Sequence, residues 1–422
     1  MKNNKNQKTK LNKKKLKVLV VIHGYPPYYM AGSEVYTQNL CRELAKSHQV
    51  IVFSRIEDHF DEPYIIRESY EKKVRIIRIN KPFRDYTFRS KYQDFKMKRI
   101  FEKYLIEIQP DLVHINHLSH LTTLIIVVIK KYNIPIVFTL HDYWMMCIRG
   151  QLIRDDLSLC TGPSIEKCTQ CNSKYFTSYK NAKKEIICWL DMLSNANKKV
   201  DLFIAPSRFL QQKYIEYGIP KNKIINMDYG FDFNLIRSVK KKPSYKIRFG
   251  FLGRIIPVKG ISLLISSFNK LKDHKAELNI FGKLPSSSIY LEERCNNSAI
   301  NFRGEYDYEN ISEVLSNIDV LIVPSIWYEN SPLVIHEAFI ARIPIITSNL
   351  GGMAELVQNE KNGLLFKTGN VKDLAEKMNR FIEEPDLINK LAQNVPKIRS
   401  IQEEVMDISR FYYKLMKSKE DD

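Results

Sequence analysis

The sequence predicts an α/β protein with two doubly wound parallel-sheet domains. The chain has 422 residues, more than one hydrophobic core usually supports, so two domains are expected. In both halves, short apolar runs alternate with helical patterns across short connections, as in parallel sheets crossed by helices. The apolar runs are nearly continuous, which indicates strands that are covered on both faces.

The predicted elements fall into two series along the chain. In the first half, the predicted strands are 17–22, 50–53, 74–79, 112–115, 134–140 and 201–205. Between the first two, residues 33–46 place Tyr36, Leu40 and Leu44 on one helix face. In the second half, the predicted strands are 247–252, 278–281, 301–302, 320–323 and 344–347.

These series set the predicted domain boundaries. We expect a first domain over residues 17–240 and a second over 245–398, joined by a Lys-Lys-Lys-Pro-Ser segment. A last helix, 401–416, follows the second domain, so the segment 399–422 is expected to pack back on the first domain.

The chain carries a formal net charge of +19, and eight of its lysines lie in the first 17 residues, which contain no acidic residue. We expect residues 1–16 to form a flexible basic tail. The remaining surplus fits nucleic acid, anionic lipid or a phosphorylated sugar as partner, and charge alone does not choose among them. A coding bias towards Lys and Asn is a further explanation.

No segment is predicted to be exported or to span a membrane. The apolar run 18–22 is too short for a signal peptide, and the run 121–129 falls short of the ~20 residues of a spanning helix. The seven cysteines are then expected to be reduced thiols or metal ligands, and the protein is expected to be cytoplasmic.

Ligands of open parallel sheets bind where strands end, so the residues after each predicted strand are candidates. After the first strand, Gly32 opens a helix whose amides would let the backbone approach a phosphate. A plain turn with Ser33 as helix cap explains the same residues. His141 follows the strand 134–140 beside Asp142, which makes it a candidate catalytic group or a structural histidine.

A more specific signal follows the strand 247–252. The segment 253–260 surrounds the start of the next helix with two cations, Arg254 and Lys259, and two glycines. Arg254 can bind two oxygens in a planar fork, and Lys259 adds a point charge. With the helix amides, they would hold a diphosphate without a metal. The alternative is a basic loop with no ligand.

Two glutamates eight residues apart follow the strand 320–323. Glu329 lies in the loop after the strand, and Glu337 lies in the helix that starts at a Ser-Pro pair. A carboxylate in the loop can hold sugar hydroxyls, and one in the helix can accept both hydroxyls of a ribose. The alternative is an acidic loop and a solvated helix glutamate, although the neighbours of Glu337 are apolar.

With these residues, the chain resembles the family 4 retaining glycosyltransferases over residues 23–363. The spacing of Glu329 and Glu337 is similar to the paired-glutamate signature of that family, and the segment 253–260 is similar to its phosphate motif. The resemblance implies a GT-B fold, in which two Rossmann-like doubly wound domains face each other across a cleft. It also implies a nucleoside-diphosphate sugar as donor.

The resemblance also implies a role for each matching residue. Arg254 and Lys259 would hold the donor diphosphate, Glu337 the ribose and Glu329 the donor sugar. His141 would lie beside that sugar, near the reacting carbon, so that His141 and Glu329 are the implied catalytic residues. Further donor contacts are implied for Gly32, which would approach the diphosphate from the first domain. Backbone amides after Asn330, at the start of the paired-glutamate helix, would assist, so the implied donor residues there are Asn330, Ser331 and Leu333.

The family keeps the anomeric configuration of the sugar, by attack on the face that the leaving phosphate departs from, and needs no metal. The absence of an Asp-x-Asp motif from this chain agrees with that mechanism. Two residues depart from the commonest family pattern. Ala31 stands where a second glycine is usual, and Tyr229 stands where Asn is frequent.

Four cysteines lie within 25 residues after the His141 segment and end in a Cys-x-x-Cys pair. They are Cys147, Cys160, Cys168 and Cys171. Two interpretations stay open. The four thiolates form a structural zinc site that cross-links the loop, or they are ordinary buried thiols.

The acceptor is expected to bind the first domain. Its loop 84–93 mixes cations with aromatic side chains, as would suit a phosphorylated or lipid-linked sugar at an anionic membrane surface, or merely a solvated surface. The predicted function is extension of a cell-surface glycan at the cytoplasmic face of the membrane, with no nucleic acid as partner. The alternative is a non-catalytic protein that binds a nucleotide sugar or nucleic acid.

Overall fold

The computed structural model describes residues 15–236, 239–271, 275–286, 289–293 and 295–417. The predicted tail, 1–16, lies outside the described residues except for its last two positions, and so does the end of the predicted C-terminal segment. Within the described ranges, no helix is both long and apolar enough to cross a membrane.

The first domain is built on an eight-stranded sheet in the order β3-β4-β2-β1-β5-β6-β7-β8. Its strands are β1 Lys17–Val21, β2 Gln49–Ile56, β3 Ile66–Glu71, β4 Val74–Asn80, β5 Leu112–Ile115, β6 Ile136–Thr139, β7 Leu202–Ala205 and β8 Ile224–Asn226. Only the edge pair β3–β4 is antiparallel among these strands. The helices of this domain are α1 Gly32–Leu44, α2 Phe95–Ile108, α3 Leu124–Lys131, α4 Ile165–Asn172, α5 Tyr179–Lys199 and α6 Arg208–Glu216.

The second domain is built on a six-stranded parallel sheet in the order β11-β10-β9-β12-β13-β14. Its strands are β9 Ile247–Leu252, β10 Ala276–Phe281, β11 Ile300–Gly304, β12 Val320–Val323, β13 Ile345–Ser348 and β14 Gly363–Phe366. The remaining helices are α7 Ile261–Phe268, α8 Tyr290–Glu293, α9 Ile311–Ser316, α10 Leu333–Ile340, α11 Gly351–Leu356, α12 Val371–Glu383, α13 Asp386–Gln393 and α14 Ile401–Lys417.

Strand β1 shows why both faces of the sheet are apolar. Leu19 and Val21 point into a core shared with Phe101 of α2, whereas Val18 and Val20 point into the core on the opposite face. A strand buried on both sides needs a continuous apolar run, which is the pattern that predicted the doubly wound sheets. The predicted α/β fold class is therefore confirmed.

The last helix, α14, completes the cover of the first sheet. It packs against α1, where the Tyr36 hydroxyl donates to Glu404 Oε1 at 2.6 Å. The Tyr412 hydroxyl lies 2.6 Å from His114 Nδ1 on β5. The chain thus returns from the second domain to the first, which ties the two domains together at the side of the cleft.

Every predicted strand has a counterpart in the structure, and three further strands were missed. β3 is a mostly exposed edge strand with few apolar residues, so no apolar run marks it. β8 has three residues, which is too short for a periodic signal, and β14 offers only three apolar side chains after Gly363. The interpretation of Ser33 as helix cap is wrong, since α1 begins at Gly32 with Ala31 in the cap position.

Candidate functional site

The candidate site lies where the parallel strands of the second sheet end. The loop after β9 carries Arg254, which is exposed, and Lys259, which is half-buried, and it leads directly into α7 at Ile261. Gly260 has a φ of +74°, and a Cβ there would lie 2.0 Å from the carbonyl oxygen of Pro324. This glycine therefore lets the cationic loop approach the loop after β12 closely.

Glu329 lies in the loop after β12. It is buried, and its Oε1 accepts three hydrogen bonds: from Lys259 Nζ at 2.6 Å, from Ser325 Oγ at 2.8 Å and from Trp327 Nε1 at 2.9 Å. These bonds fix the carboxylate of Glu329 against the cationic loop. The structure thus brings together Lys259 and Glu329, the two residues that were predicted to hold the diphosphate and the sugar.

Glu337 lies in the second turn of α10 and is 2% exposed. Burial raises the pKa of Glu337 to about 7, and a hydrogen bond from the Tyr308 hydroxyl opposes this rise. The interpretation of Glu337 as a solvated helix glutamate is therefore wrong. No sequence motif marks Tyr308, so sequence reasoning missed it.

The raised pKa of Glu337 leads to a prediction about donor binding. Below about pH 7 the carboxyl group is largely protonated, and above it the carboxylate becomes a stronger acceptor for ribose hydroxyls. We expect the donor KM to fall about fivefold to tenfold from about pH 6 to about pH 8. In Glu337→Gln the donor KM should stay high and nearly constant over that range. An equally steep pH dependence in this variant would contradict the assignment.

His141 follows β6 and has protein partners at both ring nitrogens. Its Nε2 lies 3.0 Å from Asn116 Oδ1, which can only accept, so Nε2 carries the proton. Its Nδ1 then accepts from the Tyr229 hydroxyl at 2.7 Å. Burial lowers the pKa of His141 to about 3, with a further contribution from His117. His141 is thus a neutral imidazole in a fixed orientation, and its predicted place beside the sugar stays a prediction.

Asn330 joins the two domains. Its Nδ2 donates to the carbonyl oxygen of Leu140 at 3.1 Å, and its Oδ1 accepts from Ser207 Oγ at 2.9 Å. The Tyr229 hydroxyl, which orients His141, also lies 3.4 Å from Asn330 Nδ2. The side chain of Asn330 therefore bridges the domains and orients the His141 network.

The side chain of Ser331, just before α10, also makes contacts within the protein. Its hydroxyl donates to Asp228 Oδ1 at 2.7 Å and lies 2.8 Å from His336 Nε2. Since these side-chain contacts are made within the protein, the donor contacts predicted for Ser331 and Leu333 would come from backbone amides. The first amides of a helix have no intrahelical acceptor, which suits them to an anion.

Gly32 faces this helix start from the first domain. It is exposed, and a Cβ at Gly32 would lie 3.4 Å from Leu333 Cδ1, so any larger side chain would fill the gap. The amino ends of α1 and α10 thus lie opposite each other across the cleft. Their dipoles both favour negative charge between them. The structure brings the predicted donor residues of the two domains to one place.

A set of titratable side chains, of which Glu34 near the start of α1 and His117 are buried, was only partly foreseen. His23 Nε2 lies 3.2 Å from Glu34 Oε1, and His117 Nε2 lies 3.2 Å from Asp142 Oδ2. The rings of His23 and His117 are 4.2 Å apart. Burial opposes ionisation of Glu34, but His23 and the Ser33 hydroxyl lower its pKa to about 2. Sequence reasoning missed His117, although its place after β5 was a usable signal.

The four cysteines of the long loop line one small cavity of about 20 Å³. The same cavity is lined by three cations, Arg149, Arg154 and Lys167. Within the described part of the chain, however, no three His, Cys, Asp or Glu side chains stand together as metal ligands would. The loop thus gathers the predicted cysteines, and zinc stays a prediction.

Two sequence families match the chain, one in each half. The family described as Glycosyltransferase Family 4 matches residues 30–232, and the family described as Glycosyl transferases group 1 matches residues 232–398. A solved structure, sucrose-phosphate synthase from Thermosynechococcus elongatus, superposes with a TM-score of 0.71 at 20% identity over 95% of this chain and 99% of that one. This likeness shows the GT-B fold.

Curated relatives have similar sequences over different lengths. An uncharacterized 42.6 kDa protein in the cps region of Klebsiella pneumoniae is 24% identical over 366 residues, 81% of this chain and 87% of that protein. The N,N'-diacetylbacillosaminyl-diphospho-undecaprenol alpha-1,3-N-acetylgalactosaminyltransferase of Campylobacter jejuni is 29% identical over 178 residues, 42% of this chain and 45% of that enzyme.

Proposed function

The chain belongs to the family 4, group 1 glycosyltransferases, and on that premise we propose that it transfers a hexosyl group from a nucleoside-diphosphate sugar with retention of configuration and without a metal. The observation that carries this proposal is the Lys259–Glu329 pair at 2.6 Å, held between the amino ends of two helices. A diphosphate and a sugar are the two parts of such a donor that a cation and a carboxylate would hold.

The proposed mechanism assigns the leaving group to the cations of the second domain. The bond between the anomeric carbon and the diphosphate oxygen breaks, and Arg254, Lys259 and the helix amides offset the charge that develops on that oxygen. The acceptor hydroxyl forms the new bond on the same face of the sugar, and its proton passes to the departing phosphate. Glu329 holds the donor sugar in place, and the His141 network orients the cleft around it.

Retention and metal independence are tested together. Transfer is run with excess EDTA, and the anomeric configuration of the first product formed is read by proton NMR. We expect unchanged turnover with EDTA and an α-linked product from an α-linked donor. Loss of turnover with EDTA that Mg²⁺ or Mn²⁺ restores, or a β-linked product, would contradict this part of the proposal.

The proposed acceptor is a glycan or a lipid-linked saccharide of cell-surface polysaccharide synthesis, met at the inner face of the membrane. Two relatives support it: the name of one places it in a cps region, and the name of the other contains a diphospho-undecaprenol-linked sugar. Sedimentation with anionic liposomes at moderate salt, for the full chain and for a chain without residues 1–14, tests the membrane part. No sedimentation of the full chain would contradict it.

We also propose that the four-cysteine loop binds a structural zinc ion after its thiols rotate inward. The support is one cavity lined by Cys147, Cys160, Cys168 and Cys171 beside three cations that would offset the charge of four thiolates. We expect about one zinc per purified chain, and loss of that zinc in Cys168→Ser with a lower melting temperature. Absence of zinc from active protein would contradict the site.

A further inference from the structure

A second group of polar side chains lies near the carboxyl end of β2 in the first sheet, apart from the donor residues. It consists of the cations Arg55 and Lys91 together with Tyr29, Tyr86 and His120, and we call it the Arg55 cluster. Arg55, near the end of β2, donates from Nη1 to the Tyr29 hydroxyl at 3.1 Å and also bonds the Tyr86 hydroxyl. The Tyr86 ring stacks on His120 at 3.9 Å, and the His120 amide donates to the carbonyl oxygen of Lys91 at 2.9 Å.

The Arg55 cluster leaves polar groups without partners. Arg55 is 4% exposed, yet its Nε has no hydrogen-bond partner among the described residues. The Nδ1 of His120 is likewise buried without one. In the part of the chain that the structure describes, no carboxylate pairs with the ammonium of Lys91. Buried polar groups are nearly always hydrogen-bonded in native proteins, so these unpartnered nitrogen atoms indicate a ligand.

Charge in the Arg55 cluster is compensated only in part. Burial lowers the pKa of Lys91, and the nearby charge of Arg149 lowers it further. Burial, followed by the charges of Arg55 and Lys91, lowers the pKa of His120 to about 2. The one carboxylate bonded to Arg55, that of Glu57, is shared with Tyr86. An anion between Arg55 and Lys91 would reduce this repulsion.

The backbone of His120 is held in an unfavourable conformation. Its φ is +59°, in the left-handed region that residues other than glycine rarely adopt. Strain of this kind persists where the surroundings impose it, often at binding sites. His120 also interacts electrostatically with His23, whose ring is 4.2 Å from His117, so the cluster adjoins the cleft.

We propose that the Arg55 cluster is a phosphate subsite that holds a phosphate group of the acceptor. Arg55, Lys91 and His120 supply the nitrogen atoms, and Tyr29 and Tyr86 hold Arg55 in place. The proposal rests on the proposed function, because it places the acceptor beside the donor site that Lys259 and Glu329 form. It adds the chemical class of the acceptor, namely a saccharide that carries a phosphate or diphosphate, as a lipid-linked sugar does.

The kinetic test compares two acceptors that differ only in the diphosphate. In Lys91→Ala, we expect the KM for the diphosphate-linked saccharide to rise about tenfold and the KM for the phosphate-free saccharide to stay unchanged. Lys103→Ala, an exposed lysine on α2, is the matched control and should change neither value. His120→Asn, which tolerates a positive φ, should repeat the effect of Lys91→Ala. Equal KM changes for both acceptors would overturn the proposal.

A second experiment requires no turnover, so its outcome distinguishes failure of this proposal from failure of the proposed function. With UDP or GDP saturating the donor site, inorganic diphosphate should raise the melting temperature of the wild type further, but not that of Lys91→Ala. The same melting increment in both proteins would overturn the proposal. If Lys91→Ala weakened binding to phosphatidylglycerol vesicles while leaving both KM values unchanged, the cluster would serve a lipid headgroup, and the acceptor assignment would fail.

Discussion

Replacing Glu329 by glutamine is expected to lower kcat/KM for the donor by about 10²–10³-fold while leaving the protein folded. Glutamine keeps the size of the side chain and one oxygen that can accept from Ser325 and Trp327. It loses the negative charge that pairs with Lys259 at 2.6 Å. The amide would also place a donor where the second carboxylate oxygen is expected to accept from sugar hydroxyls.

The measurement for Glu329→Gln is initial-rate kinetics with donor and acceptor varied, beside a thermal melt of each protein. Glu376→Gln is the matched control, since Glu376 lies on α12 with a side chain that is 60% exposed. A melting temperature near that of the wild type would show that kcat/KM falls because the site is changed and not because the protein unfolds. Retained kcat/KM in the variant would show that Glu329 is not a donor residue.

Replacing Lys259 by alanine is expected to have the second largest effect, about 10²-fold on kcat/KM, seen in both KM and kcat. We expect the ammonium to bind the diphosphate in the ground state and to offset more charge as the leaving group departs. Its loss also leaves Glu329 without its cationic partner. Lys259→Arg should recover part of the activity, because the charge is retained but its position is changed.

Lys372→Ala, on an exposed site of α12, is the control for Lys259→Ala. The double variant Lys259→Ala with Glu329→Gln should lose less than the product of the two single effects, because the two side chains act as one pair. Strictly multiplicative losses would contradict that coupling. An unchanged donor KM and kcat in Lys259→Ala would show that the cationic loop does not bind the donor.

That Lys259 and Glu329 lie together could be predicted because the topology is regular. Lys259 and Glu329 are 70 residues apart, but they follow β9 and β12, which are neighbours in the sheet, so their loops must meet. The motif spacing then indicated that these two loops carry a cation and a carboxylate. The same regularity explains why the strands buried on both faces were found, whereas the exposed edge strand β3 was not.

The contacts that depend on side-chain packing were not predictable. Asn330 was assigned to the donor, yet its side chain bridges Leu140 and Ser207 of the other domain. The hydrogen bond from Tyr308 to Glu337 joins a short 3-10 helix to α10, and no pattern in either segment indicates it. The Asn330 contacts depend on how the two domains pack on each other, whereas the Tyr308–Glu337 bond depends on packing within the second domain. Local periodicity encodes neither.

The central claim is that the Lys259–Glu329 pair serves a nucleoside-diphosphate sugar. The most direct test is release of the nucleoside diphosphate from a panel of UDP-, GDP- and ADP-sugars, with EDTA present, by the wild type, Glu329→Gln and Lys259→Ala. The account predicts that the wild type turns over one donor class and that both variants lose nearly all of this activity. If no donor is turned over and no nucleoside diphosphate raises the melting temperature of the wild type, the claim is contradicted.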